Sequence, residues 1–177
     1  FLAVSFISAQ DPPELFEFTH TTQQAFYFFI EVTINENQID PEDWVGAFNG
    51  EICVGAKKWD TSECGGGICD VVAMGADPSN SPGTEEYMSM GGIPTFKIYD
   101  ASEDTYFDAT PSEDFPWSNN SFNFIDGLSA SSSIQGCMDQ DACNYNPSAT
   151  EDDDSCEYAE ENYDCDGNCV VDTDCNG

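Results

Sequence analysis

The residues most able to do chemistry lie toward the end of the chain, where Asp164, Asp166 and Asn168 alternate through Asp-Cys-Asp-Gly-Asn, followed by Asp172, Asp174 and Asn176. Alternate oxygen side chains with a glycine at the turn are how a chain wraps a hard cation, and Asp172 to Gly177 matches the opening of a calcium loop. The bidentate acid that completes an EF-hand falls past Gly177, so the match is to a partial loop. Calcium is the cofactor expected, held by Asp164, Asp166, Asn168, Asp172, Asp174 and Asn176. The acidic run Glu151 to Asp154 with Glu157 is a further oxygen source, and a solvated acidic stretch is the plainer reading of all of it.

Cysteine supplies the second chemistry. Of nine Cys, six lie after Gly136: Cys137, Cys143, Cys156, Cys165, Cys169 and Cys175. Short spacings in a segment with few aliphatic residues point to disulfides made in an oxidising compartment. Zinc is the rival, but no C-x2-C pair is present and the single His20 is far away. Six Cys allow 15 pairings, all left open. Upstream, Cys64 and Cys69 flank three glycines that let the chain reverse tightly enough for a local disulfide. Cys53, inside an apolar strand, is the expected free, inert thiol.

Other constellations carry little. Trp44, Trp59 and Trp117 could stack on sugar rings but are more often core. His20 has no nucleophile in a recognisable motif, and scattered carboxylates do not make an acid and base pair without a cleft. Asn119-Asn120-Ser121 is a formal glycosylation sequon. The chain is therefore expected not to be an enzyme.

Charge narrows the partners. Against 35 Asp and Glu stand three Lys and one His, a formal net charge of −32. Such a field repels phosphate backbones and anionic lipid, arguing against nucleic acid as a partner, and favours bound cations. A halophile-like solubility surface explains the same excess. No run is long and apolar enough for a membrane span, so no membrane insertion is expected.

The elements that position these residues read as short strands divided by turns, with hydrophobic period 2 rather than 3.6. Strands are predicted at Leu15 to Thr19, Gln24 to Ile34, Trp44 to Phe48, Glu51 to Trp59, Val71 to Met74, Thr95 to Asp100, Thr105 to Ala109 and Phe122 to Ile125. Asn49-Gly50 predicts a type I′ hairpin turn. Four segments follow: an apolar N-terminal strand at 1–10, a β-sandwich domain at 11–128, a Ser-rich linker at 129–135 and a Cys/Asp-rich tail at 136–177. The fold class expected is all-β, an antiparallel β-sandwich of immunoglobulin or jelly-roll type with a small, irregular, disulfide-rich C-terminal appendage.

The opening FLAVSFISA has two readings. It resembles the end of a signal peptide with a small-residue cleavage site. Retained, it is a donor strand whose Leu2, Val4 and Phe6 fill pockets on one face in a neighbouring subunit, with Phe1, Ala3 and Ile7 on the other.

A resemblance joins these readings. The stretch from Gly136-Cys137 through Cys143 to Cys156-Glu-Tyr looks like the Cys- and Asp-rich repeats of large secreted bacterial surface proteins, and Asp-Cys-Asp-Gly-Asn-Cys is similar to thrombospondin type 3-like calcium repeats. DWVGAFNGEICVGAKKWD, CDVVAMGAD and GGIPTFKIYDASEDTYFDA resemble a β-sandwich module found beside them. The repeat pattern runs for one turn only. The resemblance implies a surface or matrix protein and names no reaction. The function expected is an extracellular, cell-surface structural protein, a filament or matrix subunit that partners with itself by strand donation. The alternative is a secreted adhesin or carbohydrate-binding module facing glycan or another cell.

Overall fold

The computed structural model describes residues 11–133 and 135–170. Eight strands carry the first compact unit: β1 (Gln24–Ile34), β2 (Asn37–Gln38), β3 (Trp44–Asn49), β4 (Ile52–Lys58), β5 (Cys69–Met74), β6 (Thr95–Asp100), β7 (Thr105–Pro111) and β8 (Phe122–Ala130). The described residues contain no α-helix, and the fold is all-β. Period 2 explains the elements directly. β1 turns Ala25, Tyr27 and Phe29 inward, and β6 does the same with Phe96 and Ile98, all at most 3% exposed.

The strands form one sheet in the order β2-β1-β8-β7-β6-β3-β4, with β5 also on β1. Antiparallel pairing was expected throughout, but β1 and β8 run parallel from Phe26 with Phe122 to Ile34 with Ala130. A parallel pair requires a long crossover, and here the crossover is almost the whole domain, residues 35 to 121. Alternation within a strand carries no information about direction, which is why this pair was not foreseen. The mixed sheet curls, so that its two ends approach: Lys57 on β4 reaches Asp70 on β5 at 3.3 Å, and Phe96 packs edge-on against Tyr27 and Phe29 at ring distances of 5.6 and 5.1 Å.

Three local expectations are corrected. Leu15 to Thr19 is not a strand; Glu14–Phe16 is a 3₁₀ turn entered from Pro13, with Phe16 N–H bonded to Pro13 O at 2.7 Å. Its purpose is to seat Phe16, fully buried on the outward face of β3, β6 and β7 with Phe48, Tyr99 and Tyr106, while Leu15 stays exposed. At the β3–β4 hairpin the two-residue loop is Gly50-Glu51 rather than Asn49-Gly50. Only Gly50 takes positive φ, +62°, as a Gly-X turn requires. Asn49 ends β3 and spends its amide on Glu86 O at 2.8 Å. Finally, residues 129 and 130, expected to open a linker, complete β8: Ser129 and Ala130 pair with Thr110 and Ala109, and Leu128 and Ala130 are buried.

The second compact unit begins at Ser132. It buries little beyond Cys137 and Ala142 and is held by Cys137–Cys156 and Cys143–Cys165, with bridges between Gln135 and Glu151 and between Tyr163 and Cys169. With so little apolar surface, cross-links must supply what burial does not.

Candidate functional site

In the second unit Asp164, Asp166 and Asn168 fall in one closed turn. Asp164 Oδ1 accepts the N–H groups of Asp166 and Asn168 at 3.0 and 2.7 Å, and Oδ2 accepts Asn168 Nδ2 at 3.1 Å. Gly167 sits at φ +79°, which the turn demands. The backbone N–H of Asn168, followed by its side-chain amide, holds the Asp164 carboxyl below the usual carboxylate range. The turn thus directs Asp164 oxygens at its own N–H groups. Among the described residues no group of three or more His, Cys, Asp or Glu is placed to hold a metal. Asp172, Asp174 and Asn176 lie outside the described residues, as do Cys175 and the segment holding Leu2, Val4 and Phe6.

The cysteines divide as follows. Cys64 bonds Cys69, Cys137 bonds Cys156 and Cys143 bonds Cys165. Cys169 is also disulfide-bonded. Cys53 is free and buried, and burial pushes its thiol up to about 11. Disulfides on this scale belong to an oxidising environment. No helix among the described residues is long and apolar enough to cross a membrane.

The tryptophans are structural. Trp59 and Trp117 are each 4% exposed, and Trp117 gives its indole N–H to Ala73 O at 2.9 Å. Trp44 is half-buried against the Phe16 cluster. Trp59 and Trp117 therefore offer no open ring face on which a sugar would stack. His20 is exposed with its ring against Phe18.

What does stand open is the outward face of β1 and β8. Tyr27 and Phe29 point inward from β1, so Phe26, Phe28 and Ile30 point out; on β8 Asn123 and Ile125 point in and Phe122 and Phe124 out. The parallel register sets Phe26 beside Phe122 and Phe28 beside Phe124. Their rings stack at 4.9 and 4.7 Å, with Phe28 also 6.2 Å from Phe122. Phe122 and Phe124 remain 63% and 60% exposed, and Ile30 56%. A contiguous aromatic ladder at this exposure is unlike the single apolar side chains that any surface carries. Sequence reasoning missed it, although the run Ala25-Phe-Tyr-Phe-Phe29 is apolar on both faces and so signals a strand with two faces to cover.

The rest of the surface is acidic. Each of the three lysines is engaged by a carboxylate, Lys57 by Asp70, Lys58 by Glu42 and Lys97 by Asp108, so the excess of 32 negative charges has no internal counter-charge. Comparison with protein-family models, with curated proteins and with solved structures finds no match to this chain.

Proposed function

We propose that the chain is an extracellular structural subunit of a cell-surface filament or matrix, assembled by donation of the Phe1–Gln10 strand and braced by disulfides and calcium. Its mechanism is geometric, with no catalytic step. One observation carries the reading: a chain of net charge −32 keeps on its surface a stacked aromatic ladder, half-buried at Phe26 and Phe28 and exposed at Phe122 and Phe124. Surfaces this acidic repel one another, so self-association must run through uncharged apolar patches, and a ladder of this kind is such a patch. Phe1–Gln10 carries no ionisable side chain and is the complementary uncharged element. A donor from one copy into an acceptor on the next is a head-to-tail contact that does not close on itself and therefore grows into a fibre.

Two finer readings belong with it. The curled sheet is taken as a sandwich of immunoglobulin or jelly-roll kind, with β5, β1 and β8 facing β6, β3 and β4; the ring contacts of Phe96 with Tyr27 and Phe29 support this. Calcium is taken to bind the Asp164 to Asn176 stretch, supported by the spacing of its oxygen side chains and by the resemblance of Gly136 to Tyr158 to Cys- and Asp-rich surface repeats. Binding there should raise the protease resistance of residues 135–170 and shift the melt upward, both reversed by chelator. Identical digestion with and without chelator removes the ion.

Negative-stain microscopy of the native protein tests the main reading. Filaments are expected, and deletion of Phe1–Gln10 should leave folded, dispersed monomer. Filaments of unchanged length from the deletion variant would refute strand donation.

A further inference from the structure

β7 and β8 share only three paired positions, Ala109 to Pro111 against Leu128 to Ala130. One more bond follows, from Ser112 N–H to Gly127 O at 2.8 Å, and then the chain leaves: Trp117 pairs instead with Gly91 and Gly92, at 2.9 and 2.6 Å. Among the described residues, β8 from Phe122 to Asp126 is therefore hydrogen-bonded along β1 alone. Successive residues of a strand direct their N–H and C=O groups to alternate sides, so this stretch presents on its other edge a row with no partner among the described residues. Such a row is a template for one more strand.

The same stretch bears Phe122 and Phe124, the most exposed rings of the ladder. An unpaired backbone edge and an uncovered apolar face are independent features, and they coincide on one strand. We infer that the unpaired edge of β8 from Phe122 to Asp126 is the acceptor for the Phe1–Gln10 segment of a second copy, which extends the sheet there and shields Phe122 and Phe124. This rests on the strand-donation reading and gives it a location.

The occupant is specified by what the edge requires. A strand added beside β8 places alternate side chains inward, next to Asn123 and Ile125, and outward, next to Phe122 and Phe124, so it must be apolar on both faces. Leu2, Val4 and Phe6 on one face and Phe1, Ala3 and Ile7 on the other meet that demand. Ten extended residues reach about 33 Å, ample for a five-residue edge. A second ladder is a poorer occupant: Asp126 follows Phe122 and Phe124 on the outward face, and face-to-face pairing would oppose the carboxylates of two copies.

The experiment uses the full chain and a synthetic peptide of residues 1–10 with a photo-reactive benzophenone in place of the Phe6 ring. Irradiation should attach the peptide within residues 112–127, and peptide in molar excess should shorten the filaments. Separately, the full chain carrying Phe122→Ser and Phe124→Ser should lose sedimentable assembly by about tenfold or more while melting as the parent does. Attachment elsewhere with shortened filaments, or undiminished assembly of the double variant, overturns the β8 acceptor and leaves strand donation standing. Absence of both attachment and shortening, with filaments surviving deletion of Phe1–Gln10, overturns both.

Discussion

Asp43 Oδ1 accepts the N–H of Ala101 at 2.9 Å, joining the loop before β3 to the β6–β7 turn across 58 residues of chain. Its Oδ2 takes the N–H of Asp40 at 2.8 Å, and its backbone O takes that of Trp59 at 2.7 Å. One residue, 4% exposed, thus ties three connections at one rim of the sheet, two through its carboxylate and one through its backbone carbonyl. Removing both acceptors with Asp43→Ala leaves the part-buried N–H groups of Asp40 and Ala101 without their partner, a cost of about 1 kcal/mol. Asp43→Asn keeps one acceptor and should cost clearly less, which urea unfolding of the two variants will show.

Two aspartates predict opposite responses to acid. Burial raises the Asp43 carboxyl above its usual range, against the two N–H groups that lower it. The fold therefore prefers Asp43 protonated, and the stability of the parent relative to Asp43→Asn should rise as pH falls through the folded value. The hydroxyl of Thr22 at 2.6 Å, followed by the amide of Asn80 at 2.8 Å, holds Asp77 below its usual range. Its stabilisation is complete above the unfolded pKa of about 3.9 and is lost as pH falls through the lower folded value. The parent's advantage over Asp77→Asn should shrink in that window. Melts of parent and variants from pH 6 to pH 3 give both signs, and parallel trends would show that the bulk charge governs both.

The approach of β4 to β5 fixes Gly55. A Cβ there would stand 1.7 Å from the carbonyl O of Val72, which is backbone and cannot step aside. Gly55→Ala must prise the two strands apart and should cost about 3 kcal/mol. At Gly50, where a Cβ meets nothing, the only cost of Ala is the positive φ, about 1 kcal/mol. Chemical denaturation of the two variants side by side tests the ranking, and equal losses would mean that the ends of the sheet are looser than this contact implies.

Thiol reduction should act on the two units unequally. Cys137–Cys156 and Cys143–Cys165 close loops of 19 and 22 residues, each contributing about 3 kcal/mol by restricting the unfolded chain. The first unit has only the five-residue Cys64–Cys69 link and a large apolar core. After reduction and alkylation, limited proteolysis should cut within residues 135–170 while the fragment spanning β1 to β8 survives. Loss of both at one protease concentration would overturn the division of labour.

How much of this was legible in the sequence depends on whether a residue's role is local. β6 follows from alternation over Thr95–Asp100, because its inward and outward faces differ in kind, and β1 follows from the aromatic and β-branched run of Gln24–Ile34, whose two faces are both apolar. The 3₁₀ turn at Glu14–Phe16 was unreadable, since a single buried Phe has no period, and Pro13 dictates φ without naming the outcome. The β3–β4 turn failed by one residue because Asn49 is drawn to Glu86, 37 positions away. The ladder needed the parallel register of β1 with β8, and strand direction is settled by a crossover no local pattern contains. Asp43 was passed over as one carboxylate among 35; only its burial sets it apart.

Cys53 offers a probe of that core. It lies on β4, 6% exposed within the Phe16 and Phe48 cluster, with its Sγ 3.5 Å from Gly55 O. The thiolate is the reactive form, and burial lifts this thiol to about 11 while also excluding reagent. At pH 8 in native buffer, modification of Cys53 should be slow and governed by opening of the strand, whereas denaturant should expose it at once. If opening is global, the labelling rate will rise with urea in parallel with the unfolding rate, and Gly55→Ala, which weakens the β4 to β5 contact, will accelerate it. Rapid native labelling of Cys53, mapped by mass spectrometry and insensitive to both urea and Gly55→Ala, would mean that β4 frays independently of the sheet.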